Sequence, residues 1–363
     1  MSQGGGAATP TTEVLTREAI ARVDASGQLD DVLSLPEHLR DGLWRVESAI
    51  MAEWDTPAGL VVAGMGGSAI GGALARAALG DHASRPIFVT RAYGLPPWTT
   101  PDTTVLCASY SGNTEETLAC YESAGALGAQ RVAVTTGGRL AEMARADGVP
   151  VIPLPGGFQP RAAVAYMTVA ALEVAALCGA GPRLTSEIDV AASHTEQLVA
   201  EWGPDAPEDS LAKQTARALL GTAPVIAGAG LTVPIAYRWK TQINENAKQP
   251  AFAHELPELD HNELEGWEGA RDQDPPARFS AVFLDDSDAH PRVKERMDLT
   301  EKLIAGNAAV SLRLETRGQT TIERVISLVL LGDLVSIYLA ALRGVDPGPV
   351  ALIQQLKADL AGA

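Results

Sequence analysis

The feature that most constrains this chain is a repeated alternation of short apolar runs with longer helical runs, joined by glycine-rich turns. GLVVAGM (59–65), PIFVT (86–90), TTVLCAS (103–109), RVAVTT (131–136) and VPVIPL (149–154) read as strands. Residues 68–79, 115–124 and 139–146 read as the helices between them, the second stopping before Gly125. Strands that are apolar along their whole length are buried on both faces, and helices between consecutive strands favour parallel pairing. The pattern therefore predicts a parallel sheet covered by helices on both sides, with ligand loops at the carboxyl ends of its strands.

The same order restarts after a helical connector at 186–220. APVIAGAG (223–230) repeats the pattern and placement of GLVVAGMG, and 233–246 reads as the helix that follows. FSAVFLD (279–285), a helix at 292–305, AVSLRLE (309–315) and a long helix at 321–342 complete a second unit. The expected fold is thus α/β: two three-layer αβα domains with parallel sheets, plus N- and C-terminal helices. The expected boundaries are a disordered Gly/Ala/Thr/Pro tail at 1–13, an N-terminal domain at 14–184 with leading helices, and a C-terminal domain at 185–345. A C-terminal segment at 346–363 follows, opened by the breaker Asp346-Pro347-Gly348-Pro349.

Composition narrows the function classes. The chain carries 28 Lys and Arg against 45 Asp and Glu, a formal charge of −17, which argues against nucleic-acid and anionic-membrane partners because both need clustered cations. A local pocket for a small anion remains compatible with that field. Apolar residues at 46% and charged ones at 20% exclude wholesale disorder. The three cysteines, Cys107, Cys120 and Cys178, form no CxxC pair, so no disulfide scaffold, metal motif or redox motif is expected. The N-terminus lacks the basic and apolar regions of a signal peptide. The most apolar stretches, 162–177 and 325–342, contain Glu173 and Asp333 and read as buried core helices rather than membrane spans. A cytoplasmic location is expected.

The loop Gly64-Met65-Gly66-Gly67-Ser68-Ala69 fits G-x-G-x-x-A and leaves a strand to enter a helix, so a dinucleotide site has to be weighed. The acidic residue that such a site places at the end of its second strand is missing; Arg91 stands there, which leaves NADP open. No Gly-Lys-Ser/Thr follows, so a P-loop is excluded. The third strand ends in Ser109-Tyr110-Ser111-Gly112-Asn113-Thr114-Glu115-Glu116-Thr117. Hydroxyls and free backbone N–H groups at a helix N-terminus form an anion site without any cation. Two such loops on neighbouring strands suit one phosphate group. The plainer explanation is that Ser and Thr are simply good helix caps.

GMGGSAIGG (64–72) together with SYSGNTEET (109–117) resembles the sugar-isomerase (SIS) domain, and the duplication resembles the two-SIS-domain phosphoglucose isomerase superfamily. Asn244-Glu245-Asn246-Ala247-Lys248 followed by HELPELDHNELEGWE (254–268) narrows the resemblance to bifunctional phosphoglucose/phosphomannose isomerases. The resemblance spans residue 40 to the end, and implies aldose–ketose isomerisation of a hexose 6-phosphate through a cis-enediolate, with no metal or other cofactor. It implies Glu245 as the base moving the proton between C1 and C2, and His261 as the ring-opening histidine supplied by the neighbouring subunit of a homodimer. It implies Arg161 as the arginine steadying base and enediolate, and Lys357 as a lysine assisting ring opening. Gly67, Ser68, Ser109, Ser111 and Thr114 match its phosphate cradle.

The chemistry suits these residue types. Moving a proton α to a carbonyl needs a carboxylate tuned by its surroundings, ring opening needs a group titrating near neutrality, and an enediolate is stabilised by a fixed cation. By themselves Glu245 reads as a solvated helix-end carboxylate, His261 as a loop histidine among Asp260, Asn262 and Glu263, and Lys357 as an ordinary amphipathic-helix lysine. His254 is the weaker histidine candidate. Arg161 opens a very apolar helix, which favours a charge directed into a cleft. The stretch EWGPDAPEDS (201–210) carries no motif, and the 346–350 turn lacks the hydroxyl residue that relatives often use against the sugar. Two rival functions are a non-catalytic SIS-type phosphosugar sensor, which usually brings a DNA-binding helix-turn-helix and a basic surface, and an NADP-dependent oxidoreductase.

Overall fold

The computed structural model describes residues 14–270 and 278–362. The expected tail at 1–13 lies outside the described residues. The first sheet contains β1 (Leu60–Gly64), β2 (Ile87–Thr90), β3 (Thr104–Ala108), β4 (Gln130–Thr135) and β5 (Val151–Pro153). Its order is β2-β1-β3-β4-β5, every pair parallel. The second sheet contains β6 (Ala223–Ala229), β7 (Phe252–Leu256), β8 (Phe279–Asp285) and β9 (Ser311–Glu315), ordered β7-β6-β8-β9 and again parallel throughout. Two parallel α/β units are therefore present. In register, Val62 lies opposite Val89 and Leu106, and Ile226 opposite Ala253 and Val282, so apolar side chains layer across each sheet.

Two details differ from the sequence pattern. β7 is a strand that no apolar run announces, because FAHEL carries His254 and Glu255. It sits at the sheet edge, paired with β6 only, and an edge strand need not be apolar on both faces. The helix Glu115–Leu127 runs through Gly125 instead of stopping before it, and ends at Gly128, which takes the left-handed conformation at φ 72°. A Cβ at Gly125 would lie 2.7 Å from Arg131 Nη1. That glycine admits the arginine that pairs with Asp147 at 2.8 Å, and is not a terminator.

Small residues set the spacing of the inner helices. Gly66–Leu79 packs on Val164–Leu177, and a Cβ at Gly71 would fall 2.4 Å from Met167 Cβ. Val233–Ala247 packs on Thr321–Arg343, where a Cβ at Gly332 would fall 2.2 Å from the Trp239 indole nitrogen. That nitrogen donates to Leu328 O at 2.8 Å, so the close approach also satisfies a buried donor. Thr320 and Glu323 form a reciprocal capping box at the start of the long helix. By length and hydropathy the 23-residue helix Thr321–Arg343 could cross a bilayer, but its apolar window is 100% buried inside the protein. Leu74, Val169, Ile235 and Leu330 belong to one apolar cluster, so the inner helical layers of both units share a core. The leading helix Gln28–Leu33 packs against Thr321–Arg343 and against the turn Pro160–Ala163, bringing Asp31 to the seam between the units.

Candidate active site

The residues expected to form a phosphate cradle come from the carboxyl ends of β1 and β3, which are adjacent strands. Helices Gly66–Leu79 and Glu115–Leu127 begin there, each directing its first N–H groups and positive dipole end toward the same place. Ser68 is buried, and its Oγ accepts from Tyr110 N at 3.2 Å, tying one loop to the other. Ser109 Oγ lies 2.8 Å from Thr114 Oγ1 and accepts from Gly112 N at 3.1 Å. Thr114 occupies the N-cap position of its helix, yet its hydroxyl makes no capping bond. The simple capping explanation therefore fails for Thr114, whose hydroxyl pairs instead with that of Ser109. Ser111 is exposed, with Oγ accepting from Asn113 N at 3.2 Å. Gly112 adopts φ 69°, and a Cβ there would meet Gly137 O at 1.9 Å, so only glycine allows this loop to fold against the next one.

Gly67 links the cradle to the arginine. A Cβ at that position would stand 2.6 Å from Pro160 O and 3.0 Å from Arg161 Cα. The absence of a side chain lets the turn bearing Arg161 lie directly on the start of the cradle helix. Arg161 itself has only 5% of its side chain exposed, and its Nη1 reaches Glu245 Oε2 at 3.3 Å. Its Nε donates to Asn246 Oδ1 at 2.6 Å, and Nη2 to the carbonyls of Pro347 and Gly348 at 2.6 and 3.0 Å. Burial pushes the guanidinium below its ordinary pKa, with the charge of Glu245 opposing. Glu245 lies in the last turn of Val233–Ala247, its side chain 31% exposed, so its carboxylate meets Arg161 on one side and the exterior on the other.

Behind Arg161 a cavity of about 10 Å³, room for about one water, is lined by Gln28, Asp31, Arg238, Gln242 and Asp333 among others. Burial, reinforced by the charges of Asp24 and Asp30, pushes the Asp31 carboxyl up to about 6, while Arg161 opposes. Arg238 and Asp333 form a bidentate pair at 2.6 and 3.0 Å, both almost completely buried, and Arg238 Nη2 also donates to Arg161 O at 3.1 Å. Lys248, in the left-handed conformation at φ 53°, donates to Glu245 O and to Pro349 O, the latter at 2.6 Å. Burial, with the charge of Arg161, pushes its amine downward.

Arg161 and Glu245 are thus brought into contact, with Gly67 beside them. His261 and Lys357 are not brought to them within one chain: both are exposed, and among the described residues neither forms a hydrogen bond or ion pair with Glu245. His254 pairs through Nδ1 with Glu263. The sequence reading gave no site role to Asn246, Lys248, Arg238 or Asp333; the adjacency of Asn246 and Lys248 to Glu245 was the one signal that pointed to a role. Among the described residues no group of three or more His, Cys, Asp or Glu is placed to hold a metal ion. Arg91, which an NADP site would use, lies 5.4 Å over the ring of Tyr237.

The chain as a whole is similar to known phosphosugar isomerases. Residues 208–360 match a family model described as the bacterial phospho-glucose isomerase C-terminal SIS domain. The bifunctional phosphoglucose/phosphomannose isomerase of Caldicellulosiruptor bescii is 41% identical over 83% of this chain and 89% of its own length. Its namesake from Aquifex aeolicus is 37% identical over 83% of this chain and 90% of its own length. A glucose-6-phosphate isomerase-like protein from Thermus thermophilus shares the fold with a TM-score of 0.63 at 19% identity, covering 96% of this chain and 99% of that one. Identity at this level over most of both lengths shows that the chain belongs to the bifunctional phosphoglucose/phosphomannose isomerase family.

Proposed function

We propose that the protein interconverts glucose 6-phosphate and mannose 6-phosphate with fructose 6-phosphate through a cis-enediolate. The observation that carries this reading is the Arg161–Glu245 contact at 3.3 Å, one residue-width from a hydroxyl-lined helix N-terminus through Gly67. The cradle takes the phosphate. Glu245 removes the proton from C2 and returns it to C1, or the reverse, and Arg161 faces the negative charge that develops on the enediolate oxygens. Proton transfer within one sugar leaves no net oxidation, so no redox partner enters the balance. In this reading the nicotinamide alternative has no step to perform.

His261 opens the sugar ring with the help of Lys357, and in this reading a second copy of the chain supplies His261 in a homodimer. The exposed C-terminal helix supports a second copy. In Ala351–Ala361, Leu352, Leu356 and Leu360 are 88%, 59% and 60% exposed and fall on one face at successive four-residue steps. An apolar stripe of this kind on a free helix marks a surface that another chain covers. The family resemblance and the absence of any contact from His261 to Glu245 within the chain point the same way. Mixing an inactive Glu245→Gln chain with an inactive His261→Ala chain tests the arrangement. Subunit exchange yields heterodimers in which one site carries both defects and the other none, so activity returns to about half the wild-type rate per heterodimer by counting intact sites. No recovery after demonstrated exchange would exclude shared sites.

A second expectation concerns the cradle. Ser111→Ala and Thr114→Ala raise KM more than they lower kcat, because the phosphate is held equally in ground and transition states. Free glucose is accordingly a very poor substrate. Equal turnover of glucose and glucose 6-phosphate in a coupled assay would remove the cradle from the mechanism.

A further inference from the structure

Arg161 is held in an unusual electrostatic balance for a buried arginine. Among the described residues, every acceptor on its guanidinium apart from Glu245 is neutral: Asn246 Oδ1, the Pro347 and Gly348 carbonyls, and Gln159 Oε1 at 3.5 Å. Its neighbour Arg238 shows the alternative, with two of its hydrogen bonds going to one carboxylate, Asp333. An arginine locked to a dedicated buried carboxylate forms a neutral unit with little field left for a third group, whereas one held by amide oxygens keeps its charge directed outward. We propose that Asn246 is a positioning residue that fixes Arg161 through a neutral acceptor and so keeps its positive charge for Glu245 and the enediolate. The inference rests on the role given to Arg161 above and deepens it.

The orientation of the Asn246 amide is itself enforced. Asn246 is 2% exposed, and its Nδ2 donates to Ser336 Oγ at 2.8 Å. The Ser336 hydroxyl donates in turn to Asp333 O at 2.7 Å, so its proton is committed and only its oxygen faces the amide. The amide nitrogen must therefore point to Ser336, which leaves Oδ1 for Arg161 Nε. The chain of bonds starts in the long helix Thr321–Arg343 and ends at the guanidinium. The charged groups around Arg161 are Glu245 in contact, Asp31 across the cavity, Arg238 with Asp333 behind it, and Lys248 on the Pro347–Pro349 turn.

Asn246→Asp provides the test, because it keeps the shape and places a carboxylate at the same atom of Arg161. Melting temperature, kcat and KM are measured for Asn246→Asp and Asn246→Ala, alone and combined with Arg161→Ala. Asn246→Asp should lower kcat about 100-fold with KM nearly unchanged, the scale of losing one transition-state partner. Asn246→Ala, which loosens the guanidinium without neutralising it, should lower kcat about 10-fold, and neither change should add to the loss already caused by Arg161→Ala. A purely structural asparagine predicts the opposite order, with the isosteric aspartate the milder change. That order, or full effects persisting in the Arg161→Ala background, overturns the proposal. Should Asn246→Asp fail to fold, Ser336→Ala still frees the amide, and wild-type kcat in that variant overturns the orientation argument. Arg161→Ala with wild-type turnover would remove the role of Arg161 and this inference together, while a slow Arg161→Ala beside a fully active Asn246→Asp removes the inference alone.

Discussion

Glu245→Gln is expected to lower kcat by about a thousandfold while leaving the fold and the KM for hexose 6-phosphates nearly intact. The reason is chemical: the amide has the shape of the carboxylate but cannot accept the C2 proton. General-base catalysis contributes about 10²–10⁴ in rate, so about 4 kcal/mol of barrier is at stake. The fold is insensitive to the change because the side chain is 31% exposed and its ion pair to Arg161, at 3.3 Å, is not what holds the arginine. Asn246 and the Pro347 and Gly348 carbonyls do that. Steady-state rates with glucose 6-phosphate and mannose 6-phosphate, beside a melting curve, check both halves. Activity within about tenfold of wild type, roughly 1.4 kcal/mol, would mean that another group is the base.

Asp333→Ala is expected to destabilise the protein by about 3–5 kcal/mol, the usual consequence of removing one partner of a buried ion pair. Asp333 is 3% exposed and accepts two bonds from Arg238, itself 2% exposed. Burial pushes the Asp333 carboxyl upward and the Arg238 charge opposes it, so the pair persists because each charge answers the other. Without the carboxylate the guanidinium keeps only its bond to Arg161 O and stays buried with most of its donors unpaired. Asp333→Asn, which retains an acceptor, should destabilise less. The urea midpoint of each variant against wild type gives the answer. An unchanged midpoint for Asp333→Ala would mean that the guanidinium reaches water on truncation. The two predictions separate cleanly, since Glu245→Gln acts on turnover and Asp333→Ala on stability.

Much of the architecture was legible because the signals are local. The runs 59–65 and 223–230 announced β1 and β6, and the glycine turns after them announced helix starts, since a strand buried on both faces must be apolar throughout. The proposed cradle rests on signals of the same local kind: Ser109, Ser111 and Thr114 fall within six residues at the end of one strand. Where a local rule misled, a neighbour had changed its meaning. Gly125 looked like a helix stop and is instead the space Arg131 occupies, and FAHEL gave no strand signal because an edge strand escapes the demand for burial on both faces.

The sequence by itself thus determined the two parallel α/β units, the hydroxyl-bearing loops after β1 and β3 and, through its motifs, the candidate base, because periodicity and turn chemistry depend on residues close together in the chain. Only the tertiary structure decided what surrounds that base. Arg161 meets Asn246 across 85 residues and the Pro347 carbonyl across 186, and Arg238 meets Asp333 across 95. Apolar spacing records which face of a helix is buried but not which polar group will face it there. A buried charge finds its partner only when whole helices pack, so the electrostatics of Arg161, and with them the chemistry of Glu245, belong to the fold.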